Sequence, residues 1–191
     1  MSHGHQELQS LPPKRHFSIE ETVFILLMIL SVLGIVVTDF SQHDGYGYWM
    51  FMVLVFGMLS MFVSWLQAKT NENDIQEIIR RQGLHWLQTL LIVGASSLLN
   101  KSGNLSEISA SLVILLILAL ATMLDGMRIG WQFSLLGFYL AACAIIVAYV
   151  EAFIWACSAL AILVVIGTLL WGYWLSAARL IVRKIRSKPS L

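Results

Sequence analysis

Charge is what this sequence has least of. Of 191 residues, 12% are Asp, Glu, Lys or Arg, against about 25% in soluble domains, while 58% are hydrophobic. That balance points away from a water-soluble fold and toward a membrane protein. Proline is almost missing too: Pro12, Pro13 and Pro189 all sit in the terminal tails. No long apolar run therefore carries a proline kink, and straight helices are expected. Cysteine is limited to Cys143 and Cys157, both inside apolar runs. A disulfide framework of the secreted kind is not suggested, and the two thiols read as small packing groups.

Catalytic signatures are lacking as well. Gly94-Ala95-Ser96-Ser97 is not a G-x-S-x-G nucleophile elbow, and no glycine loop for phosphates and no H-E-x-x-H occurs. The apolar runs after residue 107 contain no histidine that could serve as a base. Asp39, His43 and Asp44 share one short polar stretch, and His3, His5 and His16 share the N-terminal tail, but neither set has regular metal-ligand spacing. No enzyme activity, cofactor or resident metal is expected.

What is present is a series of apolar runs. A helix needs about 20 residues at 1.5 Å each to cross a hydrocarbon core of about 30 Å. Six stretches approach this, at 20–39, 48–68, 84–100, 107–125, 131–150 and 152–175. The third is the weakest, with His85, Gln88, Thr89, Ser96, Ser97 and Asn100 among its leucines. Residues 131–175 carry one charge, Glu151, and are too long for a single crossing, so they predict a tight hairpin turning at that residue. Lys14 and Arg15 precede the first run, but no small-x-small cleavage pattern follows it, so an uncleaved first helix is expected.

The placement of cations tests this division independently, because cytoplasmic loops hold an excess of Lys and Arg. With six crossings, eleven of the twelve cations fall on one side and only Lys101 on the other. All seven tryptophans lie near span boundaries, where their amphipathic rings favour the interface. The expected architecture is an all-α, polytopic six-transmembrane-helix bundle with both termini in the cytoplasm. Residues 1–18 form a polar tail, 19–176 the transmembrane domain and 177–191 a basic tail. A bacterial inner membrane is the expected setting.

Between spans two and three, residues 69–83 place Glu72, Asp74 and Glu77 before Arg80 and Arg81, as the helix dipole favours. With Ile75, Ile78 and Ile79 on one face and Gly83 as a C-terminal cap, they predict a short amphipathic helix on the cytoplasmic surface. Asn104-Leu105-Ser106-Glu107 predicts a capping box for span four. Asp125 and Arg128, three residues apart, are positioned to pair.

Small residues at helical spacing mark close helix packing in lipid. Span five carries Ser134, Gly137, Ala141, Ala144 and Ala148, and span six Cys157, Ala161, Thr168 and Gly172; these stripes are expected to meet in the hairpin. Span two adds Gly57, Ser60 and Ser64. In span three, His85, Gln88, Thr89, Ser96 and Asn100 cover about a third of the circumference, a polar stripe that must face other helices or a wet cavity. The basic residues Arg179, Arg183, Lys184, Arg186 and Lys188 directly follow the last span and suit anionic lipid headgroups rather than nucleic acid.

Two functional expectations follow. One is a subunit, accessory or scaffold of a membrane assembly, with the bilayer, further copies of the chain or other membrane subunits as partners. The other is an oligomeric channel or transporter for a small solute or ion, lined by the polar face of span three.

Overall fold

The computed structural model describes residues 19–67, 72–150 and 153–186, with side chains 42, 72–75, 78–79, 173 and 175–186 outside that description. The terminal tails, Glu151 and the side chains of Arg179, Arg183, Lys184, Arg186 and Lys188 lie outside the described residues, and so do the histidines of the N-terminal tail. The described chain is all-α. Its helices are α1 (Ile19–Phe40), α2 (Gln42–Gln67), α3 (Glu72–Lys101), α4 (Glu107–Ile129), α5 (Trp131–Tyr149) and α6 (Phe153–Arg186). Five stretches, Ile19–Phe40, His43–Gln67, Glu107–Ile129, Trp131–Tyr149 and Phe153–Gly172, are long and apolar enough to cross a membrane. α3 is long enough, but the polar residues already noted keep it outside that group.

Side-chain contacts fix the direction of each helix. Gln67 at the end of α2 bonds Glu20 at the start of α1 and the carbonyl of Ile129 at the end of α4. At the opposite end, Tyr46 near the start of α2 bonds Ser97 near the end of α3, and His43 bonds Glu107 at the start of α4. Trp131, which opens α5, stacks edge-on against Trp171 late in α6. Successive helices therefore alternate in direction. α1, α2 and α3 pack side by side as one layer and α4, α5 and α6 as a second, with α4 lying against both α2 and α3, and α1 against both α5 and α6.

Buried apolar residues from both layers meet between them, including Phe24, Leu27, Phe56, Leu118, Phe133 and Leu136. In lipid, such packing is held by dispersion and interhelical hydrogen bonds more than by expulsion of water. The tightest seam joins α4 to α5, which are linked through Gly130 alone. A Cβ on Gly126 would overlap the backbone of Ser134, and one on Gly137 would lie 2.6 Å from the Met123 nitrogen. Ser134 and Gly137 of the α5 stripe thus meet α4, where the connection is too short to admit larger groups, while α5 also packs against α6. Within that stripe Ala144 is buried while Ala148 is exposed and Ala141 half-buried. On α6, Cys157, Ala161 and Thr168 are buried, Ala161 beside Met28 of α1, and Gly172 is half-buried.

Two local expectations are corrected. Residues 72–83 are not a separate surface helix ended by Gly83; they are the opening turns of α3, which runs unbroken to Lys101. The α4 cap is Ser106 instead of Asn104, its hydroxyl accepting the Ser109 N–H at 3.2 Å. Glu107 is the first helical residue, and its carboxylate is turned toward His43 at 2.9 Å.

Candidate anion-binding cleft

At the end of the bundle where α2 and α4 finish and α3 begins, a cleft of about 520 Å³ opens. It is lined by Ser64, Gln67, Arg81, Gln82, Leu84, His85, Gln88 and Arg128. The convergence follows from geometry. At 100° per residue, positions 81, 85 and 88 share one face of α3, while the alternating helix directions bring the last turns of α2 and α4 to the same level.

A buried polar cluster forms the wall behind Gln82. Asp125 of α4 is 1% exposed, yet no cation pairs with it among the described residues. Its Oδ1 accepts from the Gln82 amide at 2.5 Å, and its Oδ2 accepts from the Ser60 hydroxyl and from the Trp86 indole N–H, the latter at 3.0 Å. The same amide and indole also donate to Ser60 Oγ, at 2.5 Å and 3.2 Å. An ionised carboxylate is acceptor-only, and here donors from α2 and α3 occupy both of its oxygens. Gly57 makes room for this arrangement, because a Cβ there would lie 3.1 Å from the Trp86 ring. The cluster therefore pins α2, α3 and α4 together at one level.

The Asp125–Arg128 pair expected from sequence does not form. Asp125 is instead buried and bonded to Ser60, Gln82 and Trp86, while Arg128 is exposed and lines the cleft. Arg128 has no ion-pair partner among the described residues. Arg81, by contrast, pairs with Glu77 one turn earlier at 2.5 Å, with both side chains largely exposed. No carboxylate lines the cleft. The C-terminal ends of α2 and α4 bring partial negative charge of about half a unit each, and Glu77 offsets part of Arg81. Behind the lining, Asp125 bonds Gln82 and Glu20 bonds Gln67, so Arg128 is the lining charge left without an ion-pair partner among the described residues.

The polar stripe of α3 divides in two. His85 and Gln88 reach the cleft, His85 bonding the Ala121 carbonyl at 3.1 Å. Thr89 is buried and bonds the His85 carbonyl of its own helix. Ser96 is buried with no hydrogen-bond partner, and Asn100 is half-buried near the far end. Thr89, Ser96 and Asn100 do not line the cleft. Among the described residues, no group of three or more His, Cys, Asp or Glu side chains is placed to hold a metal ion.

Sequence reasoning missed the Asp125 cluster. The available signal was an ionisable residue within the last turns of an apolar run, together with Ser60 in the polar-small stripe of span two. What hid it was Arg128, a nearer partner in sequence.

No family model matches this chain, and neither does any curated protein or solved structure.

Proposed function

We propose that this chain is a six-crossing membrane protein, both ends cytoplasmic, that binds an anionic group at its cytoplasmic boundary and performs no chemistry on it. It acts as a binding or accessory subunit within a membrane assembly, in a setting such as the bacterial inner membrane. One observation carries the reading: Arg128, without an ion-pair partner among the described residues, points with Arg81 into a cleft that no carboxylate lines. Of the neutral lining side chains, Gln67, Gln82 and His85 already donate to protein acceptors, which leaves the Gln88 amide beside the two guanidiniums as a donor for the bound group. The volume falls in the range of small-ligand sites, about 300–1,000 Å³.

Transport through the polar face of span three is the weaker reading. It would need Thr89, Ser96 and Asn100 to meet one continuous wet path, and they stand apart from the cleft.

Thermal unfolding in mild detergent tests the binding reading with a panel of phosphate, sulfate and carboxylate anions, soluble and amphiphilic. A ligand at about 100 times its Kd adds roughly 2.7 kcal/mol to stability. For a chain of this length that corresponds to a rise of roughly 5–10 °C in Tm. At least one anion class raises Tm of the wild type and leaves Arg128→Gln unmoved. A panel with no Arg128-dependent shift refutes the reading.

A further inference from the structure

We infer that the anion taken by the cleft is the headgroup of a phospholipid of net negative charge, whose acyl chain lies along the exposed apolar residues of α3 and α4 that follow the cleft; this rests on the anion-binding reading above. A guanidinium presents a planar fork of donors that matches phosphate oxygens, and it is weakly hydrated enough to work at an interface. The two forks come from different helices, Arg81 early in α3 and Arg128 at the end of α4. The cleft is also far larger than a bare inorganic anion requires, so the bound group carries substituents.

The cleft then continues into apolar surface. On α4, Leu120 and Leu124 precede Arg128 at four-residue spacing, and all three are exposed. On α3, the bond from His85 to Ala121 marks the flank that turns toward α4. At 100° per residue, Gln88, Ile92 and Leu99 follow along that flank. Ile92 and Leu99 are more than half exposed. Two apolar ridges thus descend from the cationic cleft on either side of the α3–α4 seam. A soluble ester has no use for them, whereas a lipid places its phosphate at the boundary and its chain along the ridges. The arginine-rich end is the one that positive-inside counting assigns to the cytoplasm, the leaflet whose surface is anionic.

Native mass spectrometry of the full chain, released from detergent after incubation with defined amphiphiles, tests this. The probes are phosphatidylglycerol, phosphatidylcholine, oleate and dodecyl sulfate, with glycerol 3-phosphate as a soluble competitor. One juxtamembrane Arg is worth about a fivefold change in binding to anionic lipid. Wild type therefore retains phosphatidylglycerol at least fivefold over phosphatidylcholine. Arg128→Gln lowers that preference about fivefold, and Arg81→Gln lowers it less because of its pairing with Glu77. Both positions are exposed, and an unchanged unfolding midpoint confirms that the variants are folded. Oleate or dodecyl sulfate retained as well as phosphatidylglycerol, in an Arg128-dependent way, overturns the phospholipid assignment and leaves the anion reading standing. Glycerol 3-phosphate that binds as tightly as the lipid likewise overturns it in favour of a soluble ester. Equal retention of every probe by wild type and Arg128→Gln overturns both.

Discussion

Replacing Asp125 by Asn exchanges one carboxylate oxygen for an amide that donates. The site offers the new side chain three donors and no free acceptor except Ser60 Oγ, which already receives bonds from Gln82 and Trp86. At least one N–H or O–H must then face another donor at the centre of a cluster whose members are 1–3% exposed. A buried donor left without an acceptor costs about 1–3 kcal/mol. Interhelical hydrogen bonds in membrane proteins average only about 0.6 kcal/mol in double-mutant cycles, because the unfolded chain in a bilayer finds other partners. Weighing the two, Asp125→Asn is expected to destabilise the protein by about 2 kcal/mol, and Asp125→Ala by about 3 kcal/mol, the latter adding a small cavity. The assay is reversible unfolding in mixed micelles by increasing the mole fraction of dodecyl sulfate, followed by tryptophan fluorescence and helicity. Trp86 lies inside the cluster and is one of the seven tryptophans that give the signal. Combining Asp125→Asn with Ser60→Ala gives a coupling of about 1 kcal/mol. Should Asp125→Asn remain within 0.5 kcal/mol of wild type and show no coupling to Ser60, the cluster does not hold the three helices together.

Glycines separate into those that permit contact and those that do not. Gly126→Ala forces a methyl into the Ser134 backbone and is expected to cost at least 2 kcal/mol. Gly94→Ala and Gly167→Ala meet nothing within 4 Å and are expected to gain up to about 1 kcal/mol from helix propensity; the same unfolding assay ranks all three. Ser96→Ala removes a buried hydroxyl that has no partner, so stability should be unchanged or rise by about 1 kcal/mol. Single cysteines placed at Gln76 and at Ser102, in a Cys143→Ala/Cys157→Ala background, should be labelled from opposite sides of sealed vesicles; labelling of both from one side removes the six-crossing arrangement.

The all-α architecture can be read from composition and the lengths of the apolar runs, since such runs can only be helices where no water satisfies the backbone. The boundaries of α1, α4 and α5 follow the hydropathy within a few residues. The start of α3 does not, because hydropathy drops at Gly83 while the helix extends back to Glu72 through charged turns. The α5 stripe is visible in sequence, but the α4 partner of Ser134 and Gly137 is not: periodicity gives the face, and the short connection through Gly130 brings α4 against its first turns. The cleft is half legible. His85 and Gln88 stand out as polar residues on an apolar helix, whereas Arg128 looks like a topogenic cation until Asp125 is seen to have other partners.

The dependence of α3 on α4 also bears on biogenesis. Ribosomal synthesis delivers α3 first, and at that moment Gln82, His85 and Trp86 lack the Asp125 carboxylate and the Ala121 carbonyl that later receive them. The least apolar helix of the chain therefore has little reason to leave the insertion machinery until the following one arrives. On the six-crossing proposal these two segments are expected to enter the lipid as a couple, and truncating the nascent chain before residue 125 is expected to strand α3 outside it.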